Sequence, residues 1–318
     1  MQALAWSPTG RAIAAAGHAT ASGTVVKLWS FSYVDEDEAK ADFYSLVELS
    51  GTIASPPASI TLNGSIVPQV HALAWSPLQA GKYLASGGND NVVRVWDVSG
   101  RSSTYAGAGA APFNQSAPVF ELKGHTAAIN SLSFSVDGGM LASTAAFPDS
   151  SIRLWNASTG EALAALDASK NSNPAVDGAV LHGVAWKPSF MEPPSFLATV
   201  SSNYLQVWEL ATAKAVLSVE GTYLSVAWSP SAKYIATGGH RGDVRLWETT
   251  AANQLVQIKL FSGHSGSVNS VAWSPLPMPR NLSNGAGKAH LTLASGGDDN
   301  TARLWSCFEP GAAGAGVY

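Results

Sequence analysis

Short runs in which hydrophobic and polar residues alternate recur along the chain and predict β-strands. Two examples are residues 83–88 (Tyr-Leu-Ala-Ser-Gly-Gly) and 293–297 (Leu-Ala-Ser-Gly-Gly), each followed by turn-forming Asn or Asp residues. Alternation places every second side chain on one face of a sheet, whereas a helix repeats its apolar positions every three or four residues. The chain lacks that helical spacing, so the pattern predicts an all-β protein.

Two aromatic phrases recur in register and account for all eleven tryptophans. The first phrase carries Trp6, Trp75, Phe134, Trp186, Trp228 and Trp273, and the second carries Trp29, Trp96, Trp155, Trp208, Trp247 and Trp305. Successive first-phrase aromatics lie 42 to 69 residues apart, and the shortest spacing is about the length of a four-stranded propeller unit. The two aromatic positions are expected to pack on opposite sides of each sheet.

These phrases resemble the WD40 repeat family. The Gly-His dipeptides at Gly124-His125 and Gly263-His264 match that repeat, as does Trp96-Asp97. The resemblance covers about residues 3–306 and implies an all-β, WD40-type β-propeller with six four-stranded blades, the first phrase forming each innermost strand. The blades are predicted at about 1–50, 66–123, 127–167, 178–220, 221–261 and 266–306 of a single domain (1–306), and a Gly/Ala-rich tail follows at 307–318.

Closure of the ring stays open at this stage. Residues 306–318 read as a poor strand, so one alternative is a last blade of three strands. The other is a truncated seven-bladed propeller whose remaining blade lies outside this sequence. Three long segments, 31–69, 98–117 and 276–289, are interpreted as surface insertions or as contact sites.

The resemblance also implies a buried polar chain of His, Ser or Thr, Asp and Trp in each blade. The third blade has the full set in His125, Ser143, Asp149 and Trp155, and the sixth has it in His264, Ser295, Asp299 and Trp305. A Ser/His/Asp set also fits a hydrolase. A structural role is favoured, because the set occurs twice in register with the repeat and a catalytic triad is normally built once.

A docking face is predicted at the mouth of the central channel. The residues four positions before each first aromatic are mostly polar: Gln2, His71, Asn130, His182, Leu224 and Asn269. The resemblance adds neighbouring positions and the turns after the second strand: Gln69, Asn89, Thr222, His240, Arg241, Ser267 and Asp298. In the family this ring is the usual docking face for proteins and peptides. The alternative is that these polar residues merely suit a wet channel.

Composition narrows the remaining function classes. The formal net charge of −4 argues against a nucleic-acid binder. One cysteine, no signal peptide and no membrane-length apolar segment favour an intracellular protein of the cytoplasm or nucleus. His71 and His182 lack companion ligands, so neither a metal nor another cofactor is predicted.

The sequence therefore predicts a non-catalytic scaffold or adaptor with a protein or peptide partner and no small-molecule substrate. Three alternatives are a substrate receptor of a ubiquitin ligase, a histone-tail or other peptide reader, and an enzyme. The receptor reading is weakened because Trp96-Asp97-Val98-Ser99 lacks the basic residue that such receptors often carry two positions after the Asp.

Overall fold

The computed structural model describes residues 3–8, 12–16, 26–30, 59–60, 69–77, 81–98, 118–168, 180–189, 195–250, 254–274 and 290–308. These residues form strands and turns, and none of them lies in a helix. No helix within those ranges is therefore long and apolar enough to cross a membrane. Most of the three long segments, and the tail after residue 308, lie outside the described residues.

The first three sheets each have four strands, which follow one another in chain order. Blade one comprises β1 (Ala3–Trp6), β2 (Ala12–Ala16), β3 (Val26–Ser30) and β4 (Ser59–Ile60). Blade two comprises β5 (Val70–Trp75), β6 (Tyr83–Gly88), β7 (Val93–Asp97) and β8 (Phe120–Leu122). Blade three comprises β9 (Ile129–Phe134), β10 (Met140–Ala145), β11 (Ser151–Asn156) and β12 (Ala162–Asp167).

The last three sheets continue the pattern, except that the final one is shorter by a strand. Blade four comprises β13 (Leu181–Trp186), β14 (Phe196–Ser201), β15 (Tyr204–Glu209) and β16 (Lys214–Glu220). Blade five comprises β17 (Tyr223–Trp228), β18 (Tyr234–Gly239), β19 (Asp243–Thr249) and β20 (Leu255–Ser262). The final sheet comprises β21 (Val268–Trp273), β22 (His290–Gly297) and β23 (Ala302–Phe308).

All neighbouring strands are antiparallel, and each sheet is a meander. The first strand of each sheet packs against the first strand of the next, from β1 through β5, β9, β13 and β17 to β21. These strands are therefore the innermost ones, as the sequence predicted, and the all-β propeller class is confirmed. Among the described strands, no comparable contact joins β21 back to β1.

The predicted count of six four-stranded blades was wrong. Five blades have four strands, whereas the final sheet has three within the described residues. Blade one also extends beyond its predicted boundary at residue 50, because Ser59–Ile60 pairs with Val26 and Lys27 of β3. A long connection separates β3 from β4 in the sequence. Because strand register cannot be read from the sequence across such a connection, this pairing was not predicted.

Both aromatic positions of a sheet pack into the same interface, so the expectation of opposite sides was wrong. In blade two, Trp75 lies opposite Leu84, and Leu84 lies opposite Trp96. Residues directly opposite each other in antiparallel strands share a face of the sheet. Both tryptophans accordingly pack toward blade one, with Val70 and Ala16 in the same cluster.

Small and aliphatic residues fill the other face of each sheet. Ala142 and Leu154 of blade three are buried against Trp186 and Trp208 of blade four. Large aromatics from one sheet thus meet small residues from the sheet before it, which allows the close packing of a protein interior. Five such clusters join the six sheets in chain order.

No described sheet packs on the face of the final sheet that lies away from blade five. Leu304 precedes the second-phrase Trp305 and is 74% exposed, whereas the equivalent Leu154 and Leu246 are each 3% exposed. The equivalent Val95 and Val207 of blades two and four are likewise buried. Among the described strands, the final sheet therefore packs through one face on blade five, and no other sheet packs on its opposite face.

Candidate protein-docking face

The predicted docking residues meet at one end of each sheet. The first strand begins where the turn after the second strand lies, because the two strands are antiparallel. The Asn89 amide donates to the Gln69 carbonyl at 3.1 Å, and the Asp298 amide donates to the Ser267 carbonyl at 2.9 Å. This end is called the mouth face and comprises Gln69, His71, Asn89, Asn130, His182, Thr222, His240, Arg241, Ser267, Asn269 and Asp298. Gln2 lies outside the described residues.

Hydrogen bonds on the mouth face join blade three to blade four and blade five to the final sheet, and β13 packs against β17 between them. Asn130 of blade three donates from Nδ2 to the Leu181 carbonyl of blade four at 2.8 Å. His240 of blade five lies with its Nδ1 3.4 Å from the Ser267 hydroxyl, beside the final sheet. Residues from separate repeats therefore form one surface on closely packed sheets.

The mouth face is polar, and about half of its residues are open to solvent. Asn89, Thr222, His240, Arg241, Asn269 and Asp298 are exposed, whereas Gln69, His71, Asn130, His182 and Ser267 are half-buried. Asn269 donates from Nδ2 to the Asp298 carboxylate. The face therefore offers amide, hydroxyl, imidazole, guanidinium and carboxylate groups, and those that are exposed can exchange water for a partner's hydrogen-bonding groups.

Two histidines of the mouth face have pKa values below the usual range. Burial lowers the pKa of His71, whose buried Nε2 has no hydrogen-bond partner among the described residues. Burial also lowers the pKa of His182, and the nearby His240 lowers it further. Because His182 Nε2 lies 3.1 Å from the Ser202 hydroxyl, the imidazole is held in place by blade four. Both side chains are thus favoured in their neutral forms.

The four residues of the blade-three polar chain lie in one line of hydrogen bonds. His125 Nδ1 is 3.0 Å from Asp149 Oδ2, and His125 Nε2 is 2.7 Å from Ser143 Oγ. The Trp155 indole donates to the same Ser143 hydroxyl at 2.8 Å. The Thr126 amide donates a hydrogen bond to the Asp149 carboxylate at 2.5 Å. This bond joins the residues before β9 to the turn between β10 and β11.

The final sheet repeats this arrangement. His264 Nδ1 lies 3.0 Å from Asp299, and its Nε2 lies 2.8 Å from Ser295 Oγ. The Trp305 indole donates to Ser295 at 2.8 Å. Two copies with matching distances indicate a structural unit of the repeat.

Burial separates this unit from a hydrolytic triad. The order Asp149, His125 and Ser143 reproduces the contacts of such a triad. The Ser143 side chain is fully buried, however, and its hydroxyl already accepts the Trp155 N–H. A substrate carbonyl has no route to that oxygen. Within the described ranges, no three His, Cys, Asp or Glu side chains cluster closely enough to hold a metal ion.

Hydrogen bonds set the charge of the two aspartates. Burial acts to raise the pKa of Asp149, but hydrogen bonds from Ser151, the Thr126 amide and His125 outweigh it and hold the pKa below its usual value. The pKa of Asp299 is lowered in the same way, since bonds from His264 and Thr301 outweigh burial. Burial lowers the pKa of His125, although Asp149 opposes the shift.

The other blades keep only part of the chain. An indole donates to a hydroxyl in three pairs: Trp96 to Ser86 at 2.9 Å, Trp208 to Thr199 at 2.8 Å and Trp247 to Thr237 at 2.9 Å. In blade five, Tyr223 packs edge-on against Trp247 with ring centroids 6.1 Å apart. The tyrosine thus takes the place beside the tryptophan that His125 takes in blade three, which sequence reasoning missed.

Sequence reasoning also missed Phe147 on the mouth face. The turn between β10 and β11 has two more residues between Ser143 and Asp149 than blade two has between Ser86 and Asp90. The longer turn carries Phe147, which is 61% exposed. Comparing the number of residues between the Ser and Asp positions of each blade would have revealed the longer turn.

Comparison with protein families identifies the repeat. The model described as "WD domain, G-beta repeat" (WD40) matches residues 59–97, 116–156, 214–248 and 255–306, together just over half of the chain. The chain belongs to the WD40 family. The four WD40 matches fall on β4 to β7, β8 to β11, β16 to β19 and β20 to β23.

Curated WD40 relatives are similar at low identity. The chain is 28% identical over 58% of its length to "Anaphase-promoting complex subunit cdh1" of Dictyostelium discoideum, covering 26% of that protein. It is 31% identical over 56% of its length to "Cell division cycle 20.6, cofactor of APC complex" of Arabidopsis thaliana, covering 38% of that protein. The "Probable cytosolic iron-sulfur protein assembly protein 1" of Cryptococcus neoformans is 27% identical over 76% of the chain and is covered over 68% of its length. The chain thus spans well under half of the first two relatives.

Proposed function

We propose that the chain is a non-catalytic WD40 scaffold that docks a protein or peptide partner on its mouth face. The observation that carries this proposal is the continuity of the face across separate sheets. Asn130 is bonded to blade four, and His240 lies in contact with Ser267. A surface held on packed sheets loses little conformational freedom when a partner binds.

The relatives support a place in a multi-protein assembly. Two carry names that make them a subunit or a cofactor of the anaphase-promoting complex, and a third is named for iron–sulfur protein assembly. A second candidate is a substrate receptor of a ubiquitin ligase, a role within a complex, and the first two names place those relatives in a complex. Either role calls for a protein partner. The net charge of −4 argues against nucleic acid, and we expect the protein in the cytoplasm or nucleus.

Affinity purification with a quadruple variant tests the proposal. The tagged full chain is compared with a form carrying His71→Ala, Asn130→Ala, His182→Ala and Asn269→Ala, and captured proteins are identified by mass spectrometry. A matched control carries Leu163→Thr, Val216→Thr, Val256→Thr and Ile258→Thr, four exposed positions on outer strands. We expect partners to be lost from the first variant and kept by the control.

Fold integrity is checked by thermal melting of each variant. A pair of exposed substitutions, Asn89→Arg and Thr222→Arg, repeats the test without altering buried groups. If every partner of the wild-type chain is retained by the folded quadruple variant and by the Arg pair, the proposed docking on the mouth face is wrong.

A further inference from the structure

Phe147 stands apart from the other exposed apolar side chains. Among the described residues, the remaining large exposed hydrophobics are Val119, Leu163, Val216, Val256, Ile258, Leu260 and Leu304. Leu304 lies on the face of the final sheet away from blade five, and the others lie on or directly beside the outer strands β8, β12, β16 and β20. Phe147 is the one aromatic in this set, and it alone lies on a turn at the mouth end.

The turn that carries Phe147 is anchored on the mouth face. The Ala146 amide donates to the Ala128 carbonyl at 2.8 Å, beside the start of β9. The following Asp149 is bonded to His125 and to the Thr126 amide. An aromatic ring on a fixed turn can cover an apolar group at low entropic cost, and such rings are common centres of binding energy.

Arg241 places an exposed positive charge on the same face. It lies in the turn between β18 and β19 of blade five, at the position that Asp149 and Asp299 take in the sheets with complete polar chains. Those aspartates are held by a histidine, whereas Arg241 is exposed and has no ion-pair partner among the described residues. A guanidinium in this situation favours a carboxylate ligand.

Polar groups connect the two positions across blade four. Asn130 is bonded to blade four at Leu181, the neighbouring His182 contacts Ser202, and His182 interacts electrostatically with His240 beside Arg241. The mouth-face residues on the blades between these two turns therefore include amide, imidazole and hydroxyl groups. These can hydrogen-bond the backbone of an extended segment without selecting its side chains.

We propose that the mouth face binds an extended peptide segment of the partner that places an apolar side chain on Phe147 and an aspartate or glutamate carboxylate on Arg241. This inference rests on the proposed function and names the partner's chemistry. The apolar contact and the ion pair fix the two ends of the segment, and the intervening residues are free to vary. The number of residues between the apolar and the acidic side chain of the segment then determines which partner binds.

Synthetic peptides provide the probe. We would use fluorescein-labelled peptides in which one Leu and one Glu are separated by two to eight Ser, Thr or Gly residues, and measure fluorescence anisotropy with the full chain. We expect at least one spacing to bind. Replacing the Leu by Ser, or the Glu by Gln, is expected to weaken binding by about tenfold or more, as loss of a principal anchor does.

Three protein variants locate the binding. Phe147→Ser and Arg241→Glu should each weaken the best peptide by about tenfold, whereas Leu163→Ser, at an exposed outer-strand position, should leave it unchanged. A peptide with Lys in place of Glu should regain binding to the Arg241→Glu variant. The inference is overturned if no spacing binds the wild-type chain, or if the best peptide binds both mouth-face variants as tightly as wild type.

The two proposals fail in distinguishable ways. Partners that are captured by wild type, lost from the His71/Asn130/His182/Asn269 quadruple variant and fully retained by Phe147→Ser and Arg241→Glu would overturn this inference and leave the docking face standing. Partners that survive in every mouth-face variant would overturn both.

Discussion

The indole nitrogen of Trp186 donates a hydrogen bond to the backbone carbonyl of Ser133, 2.9 Å away across the interface between blades four and three. The same contact joins Trp75 to Ala5 and Trp273 to Ala227, each at 3.1 Å. In each pair the acceptor directly precedes the first-phrase aromatic of the preceding sheet. At these three interfaces the first-phrase tryptophan therefore joins its sheet to the preceding one by a hydrogen bond as well as by burial. Trp228 is the exception, since its buried Nε1 has no partner within the described part of the chain.

Replacing Trp186 by Phe should destabilise the protein more than replacing Trp228 by Phe. Both changes remove similar apolar area, but only Trp186→Phe leaves a carbonyl without its donor. A buried hydrogen bond contributes about 1 kcal/mol, whereas removal of an unpaired donor costs nothing in hydrogen bonding. The free energies of unfolding are compared by denaturant titration. Equal losses in the two variants would contradict the role assigned to the bond.

Replacing Ser143 by Ala should cost more than replacing Ser86 by Ala. The Ser143 hydroxyl bonds both His125 and Trp155, whereas the Ser86 hydroxyl bonds Trp96. Leaving a buried polar group unpaired costs about 1–3 kcal/mol, so we expect about 2 kcal/mol more from the first change. Melting temperatures of both variants check this order, and a larger loss from Ser86→Ala would refute it.

Stability should fall as the pH drops below about 6.5, the pKa of histidine in an unfolded chain. The pKa values of His71, His125 and His182 are lowered in the folded state, so the unfolded chain takes up protons first. The stability lost in this window is fully present above pH 6.5. A second loss follows below about pH 4, because the pKa values of Asp149 and Asp299 are also lowered and their contribution requires the charged form.

Thermal melts from pH 8 down to about pH 3 test both windows. We expect a constant melting temperature from pH 7 to 8 and a decline below 6.5 that is shallower in a His71→Gln, His182→Gln double variant. Identical melting temperatures at pH 5.5 and 7.5 would show that these histidines are as easily protonated in the folded chain as in the unfolded one.

The sequence predicted the repeat well because Trp96, Trp155 and their equivalents stand at fixed distances from local strand signals. The sequence did not predict features that depend on contacts between segments far apart in the chain. The pairing of Ser59–Ile60 with β3 crosses a long connection. The shared face of Trp75 and Trp96 follows from register, which phrase spacing does not reveal. The placement of the predicted docking residues at one end of the sheets followed from their positions in the repeat. The exposure of Phe147 depends on a longer turn, which is recognised only when the repeats are aligned side by side.

Cys307 should be inert toward alkylating reagents in the folded chain. Its side chain is buried, and burial raises its pKa to about 11. The thiolate is the reactive form, so little of it is present at pH 8. Native mass spectrometry after iodoacetamide treatment should show no adduct until the protein is unfolded. Rapid labelling of the folded chain would contradict the buried position.

An inert native cysteine permits the most direct test of the docking face. Thr222→Cys places a thiol on the exposed mouth face, and Leu163→Cys places one on an outer strand. Each thiol is labelled with a benzophenone photo-crosslinker, and cross-linking to a captured partner is measured by gel shift. If the partner docks on the mouth face, cross-links form from position 222 and none form from position 163. Cross-links from position 163 with none from position 222 would contradict docking on the mouth face.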